Sequence, residues 1–349
     1  MLNLPALRLF VRSFAAAILL CCFLAAVHPI AAQQPYKVID RWKIGGDGGW
    51  DDLTADSQAY RLYLTHGLRV DVVDTQTGKL IGSITGLHGT HGVALDTAGK
   101  FGYISDGGGN AVVVFDRATL ATVATIPAGT NPDAIIFERA TQTVWAFNGR
   151  SKDATVIDAT TSKVVATIPL PGKPEFAAVD GQGTIFVNIE DKNEIVRLDA
   201  KTNKLTAEWP LTGCDSPSGL AIDVSGGRLF SVCDGKKMAV TDAKTGKSLA
   251  TAAIGSGPDG AGWDAKHKLA FASCGEGILS VVDAGAPGYP TIESLPTQRS
   301  ARTMTYDSAT DRVYLVTAEL GPRPEPTAAN PRPRPPVLPG SFVVLVVGR

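Results

Sequence analysis

The sequence predicts an all-β chain, a seven-bladed β-propeller of four-stranded antiparallel blades, and three observations carry that prediction. A four-residue word, aromatic then apolar then small or polar, recurs seven times: Tyr63-Leu64-Thr65-His66, Tyr103-Ile104-Ser105-Asp106, Trp145-Ala146-Phe147-Asn148, Phe186-Val187-Asn188-Ile189, Phe230-Ser231-Val232-Cys233, Phe271-Ala272-Ser273-Cys274 and Tyr314-Leu315-Val316-Thr317. An Asp closes a short apolar run at Asp74, Asp116, Asp158, Asp199, Asp242 and Asp283, at spacings of 42, 42, 41, 43 and 41 residues. A fixed period of that length belongs to propellers and other repeat arrays. The third observation is an unmatched strand at each end of the chain.

Residues 1–32 read as a signal peptide. Arg8 and Arg12 give a positive start, Phe14 to Val27 is an apolar run of 14 residues, and Ala31-Ala32 offers small residues for cleavage. The run is shorter than the roughly 20 residues that span a bilayer, so the expectation is export to the periplasm or beyond, without stable membrane insertion. Loss of Arg8 and Arg12, from 33 basic and 34 acidic residues, leaves a formal net charge of −3. Such a surface has no general attraction for nucleic acid.

Residues 33–349 then read as one propeller domain. The second repeat shows the four strands of a blade most clearly: His91 to Asp96, Phe101 to Asp106, Ala111 to Asp116 and Leu120 to Ile126, separated by turn residues. Strands b and c lack strict alternation, as expected where blades pack on both faces, and the aromatic of each tetrad is expected to pack between blades. Tyr36 to Ile44 reads as a strand d with no blade of its own, and Phe342 to Val347 as a strand c with no strand d after it. Ile44 precedes Asp51 by seven residues, as Ile126 precedes Asp133. Pairing the two ends closes the ring and removes an open edge. Gly321 to Gly340 holds eight prolines where the other blades have a short b-to-c loop. It reads either as a stiff extended spacer or as a functional arm over one face.

Three cysteines follow the signal segment. Cys233 and Cys274 share a tetrad position in adjacent blades, which puts them roughly 9–11 Å apart, beyond the ~7 Å that a disulfide spans. Cys214 enters the blade that contains Cys233, so the expected bridge is Cys214 to Cys233, with Cys274 free.

The tetrad with its following strand and Asp resembles the YVTN family of β-propeller repeats, exported bacterial proteins with a seven-bladed fold, over essentially the whole mature chain. The resemblance implies architecture more than activity, since propellers of this kind are similar to lactonases, to subunits of amine dehydrogenases and to binding proteins without known catalysis. The tetrad's final Asn is kept here only at Asn148, so no role of that Asn carries to the other blades.

Candidate function lies at the rim. Five residues before the acidic end of each strand a stand Asp51, His91, Asp133, Glu175, Ser218, Asp259 and Arg302, all polar and all in one register around one opening. Like charges converging there are expected to shift each other's pKa. A second tier, at or just past the tetrad ends, adds His66, Asp106, Asn148, Arg150, Glu190 and Glu319. His66, His91 and Asp106 compose a two-histidine, carboxylate set suited to a transition metal; Glu175, Asp133, Asn188 and Asn148 compose an oxygen set suited to calcium. His88 and His267 read as ordinary loop residues. There is no G-x-S-x-G elbow, no H-E-x-x-H and no C-x-x-C-H in the chain. The expected function is binding of a small polar molecule, a metal ion or a protein partner at an acidic mouth, by a monomer. The alternative is a metal-dependent, lactonase-like hydrolase.

Overall fold

The structure is a computed structural model, described here for residues 34–327, 331 and 333–349. Residues 1–33, which include the stretch read as a signal peptide, and four residues of the proline-rich loop, numbers 328–330 and 332, lie outside them. Seven four-stranded sheets form the blades, each with consecutive antiparallel strands a to d except the last. Blade 1 runs through Trp50–Asp56, Arg61–His66, Arg69–Asp74 and Leu80–Ile84. The last blade takes Met304–Asp307, Arg312–Thr317 and Val343–Gly348 from the C-terminal end and Lys37–Lys43 from the N-terminal end. Lys37 pairs with Gly348 and Lys43 with Val343, so the two leftover strands of the sequence close the ring on each other.

The repeated Asp is turn chemistry. Its carboxylate accepts the backbone N–H groups two and three residues on, as Asp74 does from Gln76 and Thr77 and Asp242 from Lys244 and Thr245. The same pattern recurs at Asp116, Asp158, Asp199 and Asp283. An Asx turn of this kind fixes each c-to-d connection. The bonds favour the charged carboxylate and hold Asp74, Asp116, Asp158 and Asp242 below the ordinary Asp range. The tetrad aromatics fill the seams between blades. Tyr63 meets Phe115 of the next blade at 5.5 Å, and Phe230 stacks on Trp263 of the next blade at 5.1 Å; all seven tetrad aromatics are buried. Cys214 and Cys233 are bridged with Cα atoms 5.3 Å apart, and Cys274 is a buried free thiol.

Strand a of most blades carries a bulge at its mouth end. The pairing with strand b slips between Trp50 and Leu53, Thr90 and Val93, Pro132 and Ile135, Pro174 and Ala177, and Pro258 and Gly260. Each slip contains a rim residue. A bulge releases a residue from its ladder and re-aims its side chain, which is how Asp51, His91, Asp133, Glu175 and Asp259 leave the sheet. In the other two blades strand a starts later, at Leu220 and Met304, leaving Ser218 and Arg302 in the lead-in.

Candidate functional site

Six of the seven rim residues join in one belt of hydrogen bonds and ion pairs. His91 Nδ1 lies 3.5 Å from Asp133 Oδ1 and 2.6 Å from Asp51 Oδ2. Asp51 Oδ1 receives Arg302 Nη2 at 3.3 Å, Arg302 Nη1 bonds Asp259, and Asp259 Oδ1 accepts from Ser218 Oγ at 2.6 Å. The belt therefore runs through blades 3, 2, 1, 7, 6 and 5. Glu175, on blade 4, stands outside it and is held by Lys173, whose Nζ lies 2.5 Å from both Glu175 and Glu190. Asp51, Asp133, Glu175, Ser218, Asp259 and Arg302, with Lys173 and Glu190, line a cavity of about 340 Å³ at the mouth, with Phe176 and Asp234 also on its wall. Gly107 is required beside His91, because a Cβ there would come within 2.6 Å of the imidazole.

Charge crowding shifts the site as its register leads one to expect. Burial, and then the charge of Asp133, raises Glu175 to about 7 despite Lys173. Burial raises Asp133 as well, with Asp51 adding to the shift and His91 opposing it. Burial works against the charged form of His91, but the hydrogen bond that it donates to Asp51 and the charges of Asp133, Asp51 and Glu175 prevail and raise it. The Asp51, His91 and Asp133 ligand atoms all lie within 4.8 Å of one another, a spacing that one metal ion can bridge.

The second tier divides. His66 is fully buried, its Nδ1 2.7 Å from both Asp71 and Arg69 and its ring 4.1 Å from Phe342. Asp106 accepts the His88 backbone N–H at 2.8 Å and faces the His88 ring at 2.9 Å. His66, His91 and Asp106 thus have separate partners, and among the described residues the metal-sized group at the mouth is Asp51, His91 and Asp133. Asn148 donates to Asp153 and Thr155 inside its blade, and Asn188 to the carbonyls of Ser218 and Gly219. Their amide nitrogens are thus engaged in the scaffold, while Asn148 Oδ1 is buried with no hydrogen-bond partner among the described residues. Arg150 is exposed on its b-to-c loop. Glu319 lines the outer side of the proline-rich loop, and Glu190 lines the mouth.

Three features escape the rim register. Asp52 is raised to about 8 by burial and then by Asp51 and Asp133; its signal in the sequence is adjacency to Asp51. Lys173 lies two residues before the register position of Glu175. On the opposite face Asp264, His267 and Asp311 also lie within metal-ligating reach, with His267 Nδ1 2.6 Å from Asp264 and Lys266 3.6 Å from Asp311. Asp264 already accepts the Lys266 and His267 backbone N–H groups, which marks that cluster as an a-to-b turn clasp.

No family model matches the chain. A stretch of 148 residues is 29% identical to the uncharacterized protein YncE of Salmonella typhimurium, covering 40% of this chain and 42% of that protein. The protein of the same name from Salmonella typhi is 28% identical over 148 residues with the same coverage. The chain thus matches about two fifths of the length of these curated relatives. Among solved structures it is similar to the hydrazine synthase of Kuenenia stuttgartiensis, with a TM-score of 0.70, 15% identity, and 77% of this chain on 92% of that one. It is similar also to U3-55K (TM-score 0.74, 10% identity, 89% of this chain on 99%) and to the RRP9 WD40 repeats (TM-score 0.75, 9% identity, 90% on 99%). At these identities the likeness is one of fold. No helix among the described residues is long and apolar enough to cross a membrane.

Proposed function

We propose that this chain is an exported propeller of the YVTN type whose mouth holds a divalent metal ion between Asp51, His91 and Asp133 and presents it to a small polar ligand. The observation that carries the reading is the group of two carboxylates and one imidazole with ligand atoms within 4.8 Å of one another at a solvent-facing mouth. Raised carboxylates support it, because a bound cation relieves the repulsion that keeps Asp133 and Glu175 reluctant to ionise. An imidazole beside two carboxylates favours a transition ion over calcium. The disulfide supports export, since such bonds persist in oxidising compartments.

The test is elemental analysis of the purified mature chain, followed by titration of the chelator-stripped protein with zinc and manganese. About one ion per chain is expected, and His91→Ala should weaken binding by at least about tenfold. A parent protein that takes no ion, or a His91→Ala protein that binds as the parent does, refutes the reading. Lactone hydrolysis is a second reading, favoured by one observation. Glu175, at about 7, is poised to exchange a proton near neutrality. A lactone panel with and without the metal distinguishes catalysis from binding alone.

A further inference from the structure

The proline-rich loop is pinned at its base. Leu320 and Val337 form an antiparallel bridge, Gly321 N–H donates to Pro336 at 2.8 Å, Leu338 N–H to Glu319 at 2.8 Å, and Gly340 N–H to Gly46 at 2.9 Å. Pro333, Pro335 and Pro336 follow with fixed φ and no N–H to offer, so the pinned base sets the course of the chain between them. That course brings Arg334 to the mouth, where it lines the same cavity as Asp51, Asp133, Glu175 and Asp259. Arg334 has no ion pair or hydrogen bond with any described residue and is exposed.

Beside the mouth, and sharing Arg302 and Arg334 with it, is a second cavity of about 410 Å³. Its walls are Trp50, Leu320, Pro335 and Val337, and no carboxylate lines it. A volume of a few hundred Å³ with mostly apolar walls and a few convergent polar groups is the usual form of a small-molecule site. Here the charged groups are guanidiniums only. Arg302 spends Nη1 on Asp259 and one Nη2 donor on Asp51, and a guanidinium has five donors. Arg334 spends none.

We propose that this cavity binds a small organic anion with a flat apolar body, an aromatic carboxylate, the ring lying among Trp50, Leu320, Pro335 and Val337 and the carboxylate taken by Arg334 with Arg302 behind it. An amphipathic cation is disfavoured by the same two guanidiniums, and a phosphate without an apolar body leaves the walls unused. The inference requires the mouth face to be the binding face but does not require the metal.

The experiment is calorimetric titration of the full mature chain with 2-naphthoate and, as the uncharged counterpart of equal shape, 2-naphthamide. The acid should bind at least about tenfold more tightly than the amide, the difference expected of one charge-assisted pair. Arg334→Gln, at an exposed residue without partners, should keep the parent's unfolding transition and lose about that tenfold. Leu320→Asn should weaken acid and amide alike, because it alters the wall and spares the charge. Chelator should leave naphthoate binding unchanged, so that this result stands even where the metal reading fails. Absence of naphthoate binding, equal affinity for acid and amide, or an Arg334→Gln protein that binds as the parent does would each overturn the proposal.

Discussion

Replacing Glu175 with Gln should make the metal-free protein more stable at pH 8 and leave it nearly unchanged at pH 5. An ordinary glutamate ionises near 4.5, whereas Glu175 in its buried place beside Asp133 ionises at about 7. Between those values the folded chain keeps a proton that the unfolded chain has already released. Stability therefore falls as pH rises through that window, and the loss is complete above about 7. The distance from 4.5 to about 7, at about 1.4 kcal/mol per pH unit, sets an upper bound of between about 3 and 4 kcal/mol. The attraction of Lys173 is already counted in the position of Glu175, and in the variant Lys173 retains Glu190 at 2.5 Å. Gln copies the shape of the neutral acid, so the gain expected at pH 8 is about 1–3 kcal/mol. Urea unfolding of both proteins in chelator, at the two pH values, measures it. A variant equally or less stable at pH 8, or one shifted by the same amount at both, refutes the claim that an ionised Glu175 is under electrostatic strain.

Cys214→Ser opens a loop with a sequence separation of 19 residues; on the chain-entropy account it should cost about 3 kcal/mol in urea unfolding, and a cost near zero would contradict that account here. Burial lifts the Cys274 thiol to about 11, so iodoacetamide at pH 8 should label it only at the rate of unfolding, and native labelling as fast as that of a free thiol would contradict its burial. Removing Lys37–Lys43 leaves Val343–Gly348 paired only with Arg312–Thr317 and exposes its other edge, which should cause aggregation or loss of the cooperative transition; a truncated chain that unfolds like the parent would show that the closure is dispensable.

The ring was legible in the sequence because each blade repeats its local chemistry. An Asp that accepts two backbone N–H groups fixes the c-to-d turn wherever it occurs, as at Asp116 and Asp158, and a turn with a fixed partner pattern recurs at a fixed spacing. The seam aromatics recur for a related reason, since every blade must fill the same gap against the next. The terminal strands were readable from that frame, and their observed bounds, Lys37–Lys43 and Val343–Gly348, fall within a residue of the unmatched runs.

Side-chain partnership was less legible, because register says which residues share a ring and not which way each one turns. His66 and Asn148 both close strand b, and both find a carboxylate five residues later on strand c, Asp71 and Asp153. That spacing was visible as a pair, yet it becomes informative only when strands b and c are known to meet there. Asp106 lacks such a partner, since Ala111 stands at the same offset, and it turns to His88 instead. The rim residues escape this inward pairing because their bulges free them from strand b. The physical distinction between the tiers is thus backbone pairing. His66 and Asn148, which stay in the ladder, find a carboxylate within their own blade, whereas a rim residue released by a bulge is left to find partners on the neighbouring blades, as His91 does with Asp51 and Asp259 with Arg302. That is why the belt of His91, Asp51, Arg302 and Asp259 crosses four blades, and why function in this fold is to be sought where the ladder slips.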